Sequence, residues 1–520
     1  MVRKRKKSDS KPTPLRARRS EAEIEALLDQ IDRELLTGKG TRLDALTDRL
    51  LTGSGQVPEM LVRRIVQGRA QVPVFAFELL GILAGRKTST YLKRISEDEI
   101  APDIVRFGAR RRLGWSEKGE AKRRLAFLET LKDGHGTLVQ AIDQATGMWP
   151  PDAEILEEVL PYLQALPAEP RRGIMERAVA EFGIRAALLL QAALHIDDPA
   201  SQRQALGELV KLRASGAVGA IGRLQKTARD PAVRNEAAAA LQRLRIRAVD
   251  REPAQSQPLP PVQRVLMSEV DGDGGQVILV VRRWGEGAYM LADIFHNDHW
   301  GIKAAFGATR AVDDQVEGIV TGLQEEGVSL VEANLAAARG ALSEAAKVNA
   351  SSGQPIPPAL ELWELLLHDV YPPPEDEPAV VPELDDSPYA GREDLLRSSA
   401  QLADHDFFAH WAFDQMRTLE AIAKAPPPSR GRLSDRQYRP LIQSLMDPQT
   451  CAQLRHRLRC QAWLLERSGD MEARNLALAI AADLATSNSA ALAKQPFLRT
   501  LVEISLERVL ADMADVIGDE

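Results

Sequence analysis

The feature that most constrains this chain is a repeat. The segments "DDPASQRQALGELVKL" and "ARDPAVRNEAAAALQRL" place Asp198-Pro199 and Asp230-Pro231 32 residues apart. In each, Asp suits the N-cap, where its carboxylate accepts from free backbone N–H groups, and Pro suits the first helical position, where a missing N–H costs nothing. The same offset carries Ala205, Leu209 and Leu212 onto Ala237, Leu241 and Leu244, which share one helical face. A third copy, Val105-Arg106-x2-Ala109-x3-Leu113, matches Val233-Arg234-x2-Ala237-x3-Leu241 at a separation of 128 residues, four periods of 32. Small Ala lets helices approach and Leu interlocks them, and since one helix pair cannot bury its apolar face alone, such units must stack.

These residues resemble the HEAT-repeat family, in particular a short variant with the signature D-P-x-V-R-x2-A-x3-L. The resemblance covers about residues 21–249, with degenerate copies around Ala141 and Gly173. It implies a curved α-solenoid that binds proteins or, less often, nucleic acid, and it implies no chemistry. The first helix is expected to start at Ser20, with Glu23 completing a capping box and Ile24, Leu27, Leu28, Ile31 and Leu35 at helical spacing.

Residues 250–261, rich in Pro and Gln, read as a linker. Beyond it the periodicity changes to that of strands: Val262 to Val270, the turn Asp271-Gly272-Asp273-Gly274-Gly275, then Gln276 to Trp284 and Tyr289 to Phe295, a pattern for antiparallel hairpins. The run from Val277 to Val281 is apolar on both faces and predicts a central, covered strand. Helix is expected again over 311–370, so that 262–370 forms a small α+β module. Residues 371–392, with several prolines and with Glu375, Asp376, Glu377, Glu383, Asp385 and Asp386, read as an acidic linker, and 393–520 as a C-terminal helical domain. Within it Trp463, Leu464, Gly469, Ala473, Ala477 and Ala481 look like one tetratricopeptide-type unit. The expected fold class is mainly α: an N-terminal HEAT-like α-solenoid, a small antiparallel α+β module and a C-terminal helical domain. Hydrophobic residues at 44% and charged residues at 27% exclude wholesale disorder.

Charge is segregated. The first twenty residues hold nine basic side chains against Asp9, a charge of +8, while the other 500 carry −15. Residues 1–19 are therefore expected to be a disordered basic tail. Arg3, Lys4, Arg5, Lys6 and Lys7, with Arg110, Arg111 and Arg112 in a repeat, are candidate phosphate-contacting residues, because each cation that neutralises a phosphate releases counterions. The ordinary alternative is a solvated face. The longest apolar run, Ala186 to Ile196, contains Gln191 and His195 and falls short of the ~20 residues a bilayer requires, so no membrane partner is expected. Cys451 and Cys460 are nine apart in a helical stretch, which argues against a disulfide framework and for a reducing cytoplasm.

The densest polar constellation is Asp293-x2-His296-Asn297-Asp298-His299, and its imidazoles and carboxylates suit a divalent transition metal. Asp293, His296 and His299 are the candidate ligands. The run resembles part of the metallo-hydrolase H-x-H-x-D-H motif, with Ile294 where the first His would stand, and it is also ordinary turn chemistry. Asp271-Gly272-Asp273-Gly274 resembles the start of an EF-hand loop, but Arg282 occupies the position of the bidentate Glu, which favours a plain hairpin turn. Cys460 and His456 share a helix face four residues apart, yet thiols in Leu-rich helices are usually inert. His195 reads as a core or helix-end histidine, and His405 and His410 flank an aromatic packing cluster. No cofactor is called for. The resulting expectation is a cytoplasmic protein–protein interaction scaffold or adaptor built on HEAT-like repeats, without evident catalytic activity, its protein partners held on the solenoid surface. The alternative is a nucleic-acid-associated protein using the basic tail and a basic solenoid edge. A third is a metal-dependent enzyme centred on the α+β module.

Overall fold

The computed structural model describes residues 20–37, 43–51, 56–70, 73–114, 120–147, 151–248, 260–285, 288–367, 380–424, 435–486 and 488–518. The basic tail with Arg3, Lys4, Arg5, Lys6 and Lys7 lies outside them, as does most of the expected linker at 250–261. The chain is mainly helical, with an N-terminal helical region, one five-stranded antiparallel sheet and a C-terminal helical region. By compactness it forms two units, Met1–Ala141 and Ile142–Glu520. That division falls inside the stretch expected to be one solenoid.

The first unit contains α1 (Glu21–Thr37), α2 (Leu43–Leu51), α3 (Val57–Val66), α4 (Pro73–Ala84), α5 (Thr88–Glu97), α6 (Asp103–Leu113) and α7 (Glu120–Glu129), and it ends within α8 (Gly134–Thr146). The expected capping box opens α1: Ser20 N donates to Glu23 Oε2 at 2.8 Å and Glu23 N to Ser20 Oγ at 3.3 Å. Ile24, Leu27, Leu28 and Ile31 of α1 join Met60, Leu61 and Ile65 of α3 in one core. Beside them the buried Arg64 meets Glu25, Asp29 and Asp32 at 2.6–2.8 Å, and these carboxylates outweigh the burial that works against its charge. In the repeat copy at α6, Val105, Arg106 and Ala109 are all buried. Arg106 Nε donates to Ser96 O at 3.1 Å and its NH1 to Thr130 O at 2.9 Å, so the repeat's arginine ties neighbouring helices together.

The second unit opens with α9 (Ala153–Ala165), α10 (Ala168–Phe182), α11 (Ala187–Ala193), α12 (Pro199–Leu212), α13 (Val218–Thr227) and α14 (Pro231–Ala248). Asp198 caps α12 by accepting from Ser201 N at 3.0 Å, and Asp230 accepts from Ala232 N at 2.8 Å. The period of 32 reappears as contact, because α12 packs on both α10 and α14. Gln204 Nε2 donates to Arg172 O and Arg229 NH1 to Asp197, each at 3.1 Å and each across 32 residues. Ala205, Leu209, Ala237, Leu241 and Leu244 are buried and Leu212 is half-buried.

The sheet consists of β1 (Val262–Ser268), β2 (Gly275–Gly285), β3 (Ala288–Asn297), β4 (Gly301–Val312) and β5 (Leu330–Ala333), in the order β4-β3-β2-β1-β5. β2 is the middle strand, and Ile278, Leu279, Val280 and Val281 are buried on both faces, as its sequence predicts. β4 and β5 are departures from the sequence reading. β4 is rich in Ala and Gly, poor strand formers that pairing with β3 overrides, and the four-residue β5 lies where helix is expected but adds to the edge of β1. One face packs on α15 (Asp313–Glu325) through Leu279, Leu291, Val316 and Val320. The other meets α16 (Leu335–Ser352) and α17 (Pro358–Leu367), and the ring of Trp363 of α17 would stand 2.8 Å from a Cβ at Gly307. The helical repeats of this unit pack on the same elements: Trp363 Nε1 donates to Glu157 Oε2 at 3.0 Å and Thr309 N to Glu154 Oε1 at 3.2 Å.

The C-terminal region contains α18 (Glu393–Ser398), α19 (Gln415–Lys424), α20 (Asp435–Leu445), α21 (Pro448–Ser468), α22 (Met471–Thr486), α23 (Ser489–Leu492) and α24 (Pro496–Gly518). α21 and α22 form a helical hairpin around Gly469, whose φ of +89° is a left-handed conformation that favours glycine. The aromatic cluster is packing, as expected: Phe408, Trp411 and Phe497 meet in tilted and edge-to-face contacts with centroids 4.7–6.1 Å apart. Gln461, fully buried, accepts from Val270 N and donates to Phe407 O, both at 2.8 Å, joining α21 to the end of β1. No helix among the described residues is long and apolar enough to cross a membrane.

Candidate functional site

The end of the β1–β2 hairpin is built as a turn, not as a cation loop. Asp271 Oδ1 accepts from Gly275 N at 2.7 Å and Asp273 N at 2.9 Å, so this carboxylate is occupied by its own turn. The carbonyls of Gly272 and Asp273 in turn accept from Arg457 of α21, which also grips Asp298 with Nε and NH2 at 2.6 and 2.9 Å. A nearly buried guanidinium thus fixes two turns of the sheet against one helix.

The candidate ligands Asp293, His296 and His299 do not converge. Asp293 and His296 are three apart on β3, so alternation sends them to opposite faces, Asp293 to the side of Leu291 and α15. His299 lies beyond the strand, exposed, with Nε2 3.1 Å from Arg457 and Nδ1 3.1 Å from the Gln453 amide. Burial pushes Asp293 up to about 6. Burial also lowers His296 to about 4, only partly countered by Asp298, and leaves its ring neutral near pH 7, with its enclosed Nε2 lacking a hydrogen-bond partner.

His296 faces a cleft of about 390 Å³. One wall is the sheet end with Gln276 and His296; the apolar side is Ala341, Ala345 and Val348 of α16. Val381 and Pro382 close another side, and α21 contributes His456, Arg457 and Cys460. Of the expected acidic linker, 371–392, residues 380–392 are described, and their first stretch, 380–386, is a strap on α21 and not a solvated spacer. Its acids find α21's cations. Asp386, 1% exposed, accepts from Arg455 Nε and NH2 at 2.7 and 2.8 Å, Leu384 N donates to Arg459 O at 3.2 Å, and Arg459 Nε donates to Leu384 O at 2.7 Å. The strap's start lies directly on Gly340 of α16, where a Cβ would stand 2.1 Å from Val380 O.

This strap delivers Glu383 to the α21 face that carries His456 and Cys460. His456 Nδ1 is 3.0 Å from Glu383 Oε2, and Cys460 Sγ lies 3.7 Å from His456 Nε2 and 4.0 Å from Nδ1. Burial, and then the Glu383 carboxylate, pushes the Cys460 thiol far above its ordinary value, so it is protonated at neutral pH. Among the described residues, this is the group of three metal-ligating side chains whose donor atoms lie within 4.8 Å of one another. The sequence shows the i, i+4 pair on α21, but Glu383 is 73 residues away in a segment whose composition reads as a spacer.

Other singled-out residues have structural surroundings. His195 Nε2 stands 2.7 Å from Glu361 Oε1 in the core, and Arg223 grips the same carboxylate and that of Glu364. Burial alone would raise Glu361, but Arg223 and then His195 hold it below the usual range, while burial and the neighbouring Glu361 push Glu364 above it. Of the basic run in the first unit, Arg106 and Arg124 are buried. Arg124 Nε donates to Glu120 at 2.9 Å, Arg110 and Arg111 are half-buried, Arg110 NH2 donates to Gly114 O at 3.3 Å, and Arg112 is exposed. The run is therefore not one continuous cationic face. Compared with protein-family profiles, with curated proteins and with solved structures, the chain matches none.

Proposed function

We propose that the protein is a cytoplasmic interaction scaffold or adaptor built on HEAT-like repeats, with partner proteins held on the surface of its repeat helices. The observation that supports this reading is the stacking of α10, α12 and α14 at the 32-residue period of the sequence, with hydrogen bonds from one repeat to the next at that spacing. Stacked helix pairs present long, regular surfaces whose exposed side chains are free of the core, which is how such frames recognise other chains. Exposed ion pairs such as Arg172–Glu176 and Arg177–Glu181 lie on this frame and contribute little to its stability, so their positions are open to recognition. The nucleic-acid alternative rests on the +8 charge of the first twenty residues and on Arg112.

Affinity capture of the tagged full-length chain at native expression level, with cross-linking and with and without nuclease, tests the reading. The expected result is a defined set of nuclease-resistant proteins whose cross-links fall on the repeat helices. Recovery that disappears with nuclease transfers the function to the basic tail, and cross-links confined to the sheet or to α18–α24 refute the repeat surface as the partner site.

A further inference from the structure

We propose that Glu383, His456 and Cys460 bind one divalent transition-metal ion, zinc(II) by the chemistry of the set, with an open coordination position on the cleft side. Around a tetrahedral ion with bonds of about 2.0 Å to N and O and about 2.3 Å to S, neighbouring donor atoms stand about 3.3 to 3.5 Å apart. Here Nδ1 of His456 is 3.0 Å from the Glu383 oxygen and 4.0 Å from Cys460 Sγ, and all three donor atoms lie within 4.8 Å of one another, so side-chain adjustments of about 1 Å reach that geometry. A mixed N, O, S set selects a borderline ion over magnesium or calcium, which take oxygen ligands. The ion replaces the proton of the Cys460 thiol, which leaves to solvent. Thiolate and carboxylate together then neutralise the 2+ charge, with the neutral imidazole supplying its lone pair. Glu383 is positioned for this from behind: its other oxygen lies 3.3 Å from Arg459 NH2, and Arg459 holds the adjacent carbonyl of Leu384. Such outer contacts orient a ligand before the metal arrives.

The same three side chains also have the order of a thiol nucleophile, a base and an orienting carboxylate, but the surroundings disfavour that use. Cys460 sits in the middle of α21, where backbone N–H groups are engaged within the helix and none is left to stabilise an oxyanion. Three protein ligands rather than four, two of them, His456 and Cys460, lining the cleft, leave a place for an exchangeable molecule.

The test is cobalt(II) titration of the full-length protein after chelator treatment, under reducing conditions. The expected result is one equivalent bound, with tetrahedral visible bands and a thiolate-to-cobalt charge-transfer band, all lost when zinc(II) is added. Cys460→Ser should remove the charge-transfer band and Cys451→Ser should keep it. Because replacing a buried thiol can disturb folding, His456→Ala, at a half-exposed position, serves as the second variant. It is expected to weaken cobalt binding by at least ~100-fold with an unchanged circular dichroism spectrum. Absence of a charge-transfer band in the unaltered protein, its survival in Cys460→Ser, or unchanged affinity in His456→Ala would each overturn the proposal.

Discussion

Asp293 shows how a residue's surroundings decide its role. The same carboxylate that reads in sequence as a metal ligand lies on the α15 side of β3, separated from His296 by the sheet itself. Burial without a cation to offset it lifts Asp293 to about 6. In the unfolded chain the group ionises near pH 4, so between about 4 and 6 the folded form keeps a proton that the unfolded form has lost. Its contribution is therefore intact below about pH 4 and diminishes as pH rises through about 6. Asp293→Asn removes that penalty. The variant is expected to be more stable than the unaltered protein by about 1–3 kcal/mol at pH 7.5, with the gap closing at pH 3.5. Urea denaturation at the two pH values checks this, and a destabilised variant at pH 7.5 would mean that the carboxylate has an ionic partner. His296 has the opposite sign: depressed to about 4, it opposes folding increasingly as pH falls below its unfolded value of about 6.5.

At the scale of elements, the strap at 380–386 positions the cleft. Its carboxylates pair with α21, and its backbone passes over α16 only because Gly340 has no side chain. Gly340→Ala sets two effects against each other. Ala in place of Gly favours the helix by about 1 kcal/mol, whereas its Cβ would stand 2.1 Å from Val380 O, which is a collision with backbone. The helix has many bonds and the strap few, so the strap should yield. Hydrogen exchange at Leu384, whose N–H donates to Arg459 O, is expected to quicken at least about tenfold while α16 and α21 keep their protection. Unchanged exchange at Leu384 would show that the strap does not depend on the close approach at Gly340. The strap also marks the limit of what the sequence discloses. Caps and periodic faces are local, and Asp198, Asp230, Ser20 and the central strand at Val277–Val281 stand where the residues predict. β4, with its Ala and Gly, and β5, with four residues, exist because partners across the sheet pair with them. Glu383 joins His456 and Cys460 by the same kind of distant pairing, through Arg455 and Arg459, and prolines and acids alone carry no sign of it.

For the molecule as a whole, compactness gives two units, and within the second the polar ties run between regions that composition separates. Trp363 joins α17 to α9, Gln461 and Arg457 join α21 to the sheet, and Arg223 joins α13 to α17. Each is a buried group whose loss leaves a partner unsatisfied, so these ties make the repeats, sheet and C-terminal helices of this unit one cooperative structure. Arg223 is the most demanding of them, because Glu361 has no exposure to solvent and is held ionised chiefly by that guanidinium against the cost of burial. Arg223→Met keeps most of the side-chain volume and removes the charge, and removing one partner of a buried pair costs about 3–5 kcal/mol. Calorimetry of the full-length protein is expected to show two transitions, with Arg223→Met lowering one and leaving the other in place. Hydrogen exchange should then show protection lost together in α12, in β2 and in α21, elements of one unit, and retained in α3 and α6 of the other. Loss of protection limited to α13 and α17 would show instead that the second unit is an assembly of independently melting parts, and that its polar ties align those parts without making them unfold as one.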